Sequence, residues 1–175
     1  MTDGGLIEDP VFRYRLRLSR EGDVLHAEFW VDPGGGGKAE HYHPPLEERF
    51  AVLEGELTYR LDRRKHRAVA GDRFVVEAGT RHSFENSGEG VAHIKVDVVP
   101  ALEMQQFFED SVALARAGKW RLLGRQVVPT GPRSLVDMAA FAERYKQIFI
   151  PGSPPRVLQR LTFPPLARLA RRRES

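Results

Sequence analysis

His41 and His43 stand two residues apart in the stretch EHYHPPLEERFAVLEGEL, residues 40–57, and Glu47 and Glu48 follow closely. On an extended strand, residues i and i+2 project to the same side. Both imidazoles then share one face, and Tyr42 takes the other. Pro44 and Pro45 force a kink, and Glu48 lies on the strand beyond it, in phase with Phe50 and Val52. Another imidazole, His82, comes in GDRFVVEAGTRHSFEN, residues 71–86, together with Gly79 and Phe84. Neutral imidazoles plus a carboxylate form a donor set suited to Fe, Mn, Ni, Co or Zn. The chain has no cysteine, which excludes thiolate ligands and disulfides alike.

The elements that must position these groups change character along the chain. Up to about Pro100 the pattern is that of short strands. VFRYRLRLS alternates, with Phe12, Tyr14, Leu16 and Leu18 on one face and arginines on the other. DVLHAEFWVD, FAVLEGELTYRL, DRFVVEA and VAHIKVDVV continue the pattern, with breaks at PGGGGK, DRRKHR and NSGEG. Many short strands joined by tight loops predict an antiparallel sandwich or barrel. After Pro100 the period becomes helical. Met104, Phe107, Phe108, Val112 and Ala115 predict a helix ending at Gly118. A second helix is expected from the Ser134–Asp137 capping pair, with Leu135, Met138, Ala139, Ala142, Tyr145 and Phe149 as its apolar face. A third, short helix is expected to start at Ser153 and to stop at Pro164-Pro165.

Taken together, the two histidine segments resemble the motifs of the cupin family. The first motif reads Gly35, His41, His43, Glu48 and Gly55; the second reads Gly71, Gly79, His82 and Asn86. Glu77 stands where the family usually has proline, a residue that shapes a turn and is no ligand. The family spacing also selects Glu48 over Glu47. The resemblance covers roughly residues 10–100 and leaves residues 101–175 as a helical extension. It implies a mainly β, jelly-roll barrel. It further implies one divalent transition metal held by His41, His43, Glu48 and His82. On that reading Glu48 can also act as a general base. Phe50, Tyr59 and Phe84 share the inward phase and are candidates for a substrate pocket or for barrel core. The extension is expected to pack on the barrel or on a second copy in a homodimer.

Other features narrow the functional class. Net charge is +3, and much of the excess sits in RLARRRES, so no nucleic-acid-binding face can be read. MTDGGLIEDP lacks the basic and apolar regions of an export signal, and a cytoplasmic protein is expected. Two prolines interrupt the Leu/Arg-rich tail, which argues against a membrane-surface helix. His66 is expected in an exposed turn, His93 on a solvated strand face, and GGGG in a flexible approach to the metal strand. The leading expectation is a metal-dependent dioxygenase acting on a small aromatic or polyketide-like molecule. A non-redox Lewis-acid cyclase or isomerase is one alternative. A cupin that binds a ligand or metal without catalysis is the other.

Overall fold

The computed structural model describes residues 5–174. Strands β1 (Ile7–Asp9), β2 (Tyr14–Glu21), β3 (Val24–Val31), β4 (His41–Tyr42), β5 (Glu47–Glu54), β6 (Glu56–Leu61), β7 (Arg64–Val69), β8 (Arg73–Val76), β9 (His82–Asn86) and β10 (Ala92–Val99) build the barrel. The extension follows as α1 (Met104–Arg116), the hairpin β11 (Trp120–Leu123) and β12 (Gln126–Pro129), α2 (Pro132–Arg144), β13 (Ile150–Pro151) and α3 (Arg156–Glu174). Two sheets face each other. One has the order β1-β2-β3-β10-β5-β8 and the other β13-β4-β9-β6-β7, so the extension supplies an edge strand to the second sheet.

Alternation builds the core. Tyr14, Leu16 and Leu18 of β2 point inward, as do Leu25, Ala27, Phe29 and Val31 of β3 and Ala92, Ile94, Val96 and Val98 of β10. Phe12 is not part of that strand, because Arg13 has a positive φ of 56° and turns the chain there. The buried Asp9 closes this turn, accepting the Val11 and Phe12 amides at 2.8 Å each. Burial pushes its carboxyl above the usual carboxylate range.

Several expectations need correction. RRKHR is no loop: the turn is confined to Asp62 and Arg63, both at positive φ, and Arg64–Val69 is strand β7. The glycine run is packed rather than free. The Phe84 and Asn86 amides donate to the Gly37 and Gly35 carbonyls, both at 3.0 Å. A Cβ on Gly36 would sit 2.8 Å from the Phe84 carbonyl oxygen, so only glycine lets the two backbones approach. Helix α2 begins at Pro132, and Ser134 makes no cap bond to the backbone. Its hydroxyl pairs instead with Thr130 at 2.9 Å, and Asp137 pairs with Lys119 at 2.8 Å. The helix therefore turns Val136 inward and leaves Leu135 exposed. It ends at Arg144, short of Phe149. Helix α3 does not stop at the prolines but runs through Pro164 and Pro165. Each proline removes one amide donor, and the flanking turns carry the helix across the gap. Among the described residues, no helix is long and apolar enough to cross a membrane.

The extension joins the barrel core through aromatic side chains. Phe107 meets Phe108, Phe141, Tyr145 and Phe149, with ring centroids 4.7–5.7 Å apart. Phe108 in turn lies 5.8 Å from Phe29 of the barrel. Phe107→Ala is expected to cost about 3–5 kcal/mol, because it opens a cavity at this junction. Leu135→Ala, at a side chain 41% exposed, is expected to change stability by less than about 0.5 kcal/mol. Denaturant unfolding of the two variants checks both values.

Candidate metal centre

Short-range pairing brings the histidines together. His41 of β4 stands directly opposite His82 of β9, and His43 follows β4 by one residue. The ring centroids lie 5.0 Å (His41–His43), 4.3 Å (His41–His82) and 5.4 Å (His43–His82) apart. Their ligand-type nitrogens lie within 4.8 Å of one another, close enough for one cation to be shared. Glu48 comes from the opposite sheet. Its Oε2 is 2.8 Å from His82 Nε2, and its Oε1 is 3.8 Å from His43 Nε2. Glu47 points elsewhere and pairs with Arg49 at 2.6 Å.

Each imidazole is tied down on its other nitrogen. Nδ1 of His41 donates to the Ala39 carbonyl at 2.8 Å, and Nδ1 of His82 donates to Thr80 at 2.9 Å. Nδ1 of His43 donates to Ile148 at 2.6 Å. A carbonyl only accepts, so these bonds place the proton on Nδ1 and leave the Nε2 lone pairs for a metal. The fit is supported by one further detail. Glu48 Oε2 is buried, and its polar neighbour is His82 Nε2 at 2.8 Å. A lone pair facing a carboxylate oxygen at this distance requires a cation or a proton between them.

The electrostatics agree with that requirement. Burial, together with the neighbouring imidazoles, holds His41 well below the usual histidine range. Burial also lowers His43, against the pull of Glu48. For Glu48, burial alone would raise the carboxyl, but the His43 and His82 imidazoles bring it down to about 2. His82 is lifted because the Glu48 carboxylate outweighs its desolvation.

The loops around the site are pinned. The Gly79 amide donates to the His43 carbonyl at 2.8 Å, and Thr80 donates to Glu77 at 3.0 Å, closing the turn without proline. Buried Asn86 donates to Val31 and Gly90 at 2.8 and 2.7 Å and accepts from the Gly88 amide at 2.9 Å. Its role is to hold the loop after β9.

Two of the three pocket candidates follow candidate ligands along their strands, and the third, Tyr59, lies opposite Phe84. Phe50 is two residues beyond Glu48 on β5, and Phe84 is two beyond His82 on β9. Phe50 and Phe84 are buried, 5.6 Å apart, and Phe50 stacks on Phe74 at 4.7 Å. Tyr59 stacks on the other side of the group, 3.8 Å from Phe74, and exposed His66 covers it at 5.1 Å. A wall not anticipated from the sequence comes from the extension: Phe149 lies 5.2 Å from His41 and 5.7 Å from His43. The remaining histidines belong to the outer face of the larger sheet. There His26 pairs with Asp97 at 2.7 Å and His93 with Glu28 at 2.8 Å.

Residues 27–99 match the family model described as a cupin domain. This segment of the chain is a cupin domain. A curated relative, the tetracenomycin polyketide synthase protein TcmJ of Streptomyces glaucescens, is 30% identical over 66 residues. That match covers 38% of this chain, and the chain spans 44% of the relative's length. Among solved structures, KdgF from Halomonas sp. is similar with a TM-score of 0.50 at 20% identity, over 57% of this chain and 89% of that one. A Klebsiella pneumoniae protein with a double-stranded β-helix domain gives a TM-score of 0.47 at 23% identity, over 51% of this chain and 79% of that one. At such identity KdgF supports the cupin fold and nothing finer.

Proposed function

We propose that this cupin is a metal-dependent enzyme that acts on a small aromatic, polyketide-like molecule with consumption of oxygen. The observation that carries the reading is the convergence of the His41, His43 and His82 ligand nitrogens within 4.8 Å of one another, beside the Glu48 carboxylate and with all three Nδ1 atoms engaged. A divalent metal bound there would supply Lewis acidity and, for iron or manganese, one-electron chemistry. His41, His43, His82 and Glu48 would hold it, leaving about two of six octahedral positions for other ligands. The Phe149 ring, against His41 and His43, offers an apolar surface beside the candidate metal position for a flat substrate. Glu48 stays ionised in this setting and is placed to accept a proton from a substrate hydroxyl.

A second reading is a Lewis-acid cyclase or isomerase, and the partial similarity to a polyketide synthase protein favours it. Turnover of hydroxylated polycyclic aromatics by the iron and zinc forms, in air and under anaerobiosis, separates the two. Oxygen uptake by the iron form alone is the expected result. Anaerobic turnover by the zinc form would replace the oxygenase reading with the cyclase one. Binding of the same compounds without turnover would leave a non-catalytic cupin.

A further inference from the structure

We infer that the C-terminal extension is a working part of the metal centre: the strap Tyr145–Gly152 orients His43 through the Ile148 carbonyl. This rests on the metal-binding reading above. His41 and His82 find their Nδ1 acceptors two residues back in their own segments, whereas the acceptor for His43 lies 105 residues away. The barrel segment matched by the cupin family model ends at residue 99 and does not contain it. His43 is only 3% exposed, so no solvent stands ready to replace that carbonyl.

The strap is held at both ends. On its N-terminal side, the Ile148 and Phe149 amides donate to the Tyr145 carbonyl at 2.9 and 2.8 Å. The Tyr145 hydroxyl in turn donates to Asp110 of α1 at 2.6 Å. On its C-terminal side, β13 pairs with β4, Ile150 opposite Tyr42 and Pro151 opposite His41. The Gly152 amide then donates to the Glu40 carbonyl at 2.7 Å. Buried Gln159 of α3 donates to the Pro151 and Pro154 carbonyls at 2.8 and 2.6 Å. Tyr42 completes the latch outside the barrel, with Arg81 over its ring and Arg156 bonded to its hydroxyl. Between these anchors, Phe149 covers the His41 and His43 rings.

Two substitutions release the strap without touching a ligand. A Cβ on Gly152 would lie 2.7 Å from the Glu40 carbonyl oxygen and 3.2 Å from its carbon, so Gly152→Ala pushes the strap from the β4 edge. Gln159→Ala adds no atoms and removes only the tie to α3, so it carries the test should Gly152→Ala fail to fold. Cobalt(II) is the probe, bound to the full-length apo-protein in competition with a chelator. Proton NMR of the cobalt form reports the imidazole N–H groups as shifted, solvent-exchangeable resonances. Three slowly exchanging resonances are expected in the wild type. In the variants, affinity is expected to fall about 10- to 100-fold, as for other outer-shell losses. One of the three resonances is expected to exchange away while two persist. A wild type that binds cobalt, with variants matching it within twofold and keeping all three resonances, would overturn this inference alone. A wild type that takes up no cobalt would overturn the metal reading together with it.

Discussion

His82→Ala is expected to lower metal affinity by more than about 100-fold, and Glu48→Gln to weaken it by a similar order, while Glu47→Ala leaves it unchanged. His82 is central to the candidate ligand set: its ring meets both other imidazoles, and its Nε2 faces the carboxylate. Without it the two remaining imidazoles and Glu48 no longer surround a point, and a site missing one donor loses geometry as well as binding energy. Glu48→Gln keeps the shape but removes the only acid in the buried cluster, so the cation loses its one compensating charge. Glu47 is one residue away and makes its ion pair with Arg49 instead. Elemental analysis after loading and gel filtration checks all three. Should Glu47→Ala empty the site and Glu48→Gln leave it full, the assigned register is off by one residue.

The candidate ligands were legible because their chemistry resides in side chains of a rare type at strand spacing. Period-two geometry put His41 and His43 on one face, the resemblance to the cupin motifs implied that His82 joins them, and the structure pairs His41 with His82. The acceptor for His43 is a backbone carbonyl, and an Ile at position 148 carries no sign of that duty. Phe149 could be read only as one more apolar residue in helical register, since nothing local shows that the helix ends at Arg144. Strand β7 was hidden for a different reason. It lies at the edge of its sheet, and Arg64–Arg67 are all exposed, so no inward-facing apolar residue marks those positions. Leu135 and Val136 show the remaining ambiguity: both are apolar neighbours, and packing decides which faces inward.

Deleting residues 101–175 is expected to leave a barrel that aggregates or stays loosely packed, rather than a smaller stable domain. Met104, Phe107, Tyr145 and Ile148 belong to the same hydrophobic core as Leu16, Phe29 and Val98 of the barrel. Each such side chain is worth about 1.5–3 kcal/mol when buried. Losing four of them removes cover comparable to the whole stability of a typical domain, roughly 5–15 kcal/mol. The same cut strips strand β13 from the β4 edge and leaves the backbone of His41 and Tyr42 unpaired on that side. His43, already buried, loses its carbonyl partner at the same moment. Size-exclusion chromatography and binding of a hydrophobic dye read the outcome, with broadened or void-volume elution and strong dye fluorescence expected. A soluble monomer with an unchanged melting temperature would show that the core of the barrel closes without the extension. Such a barrel that also retained full metal affinity would make the Ile148 carbonyl dispensable.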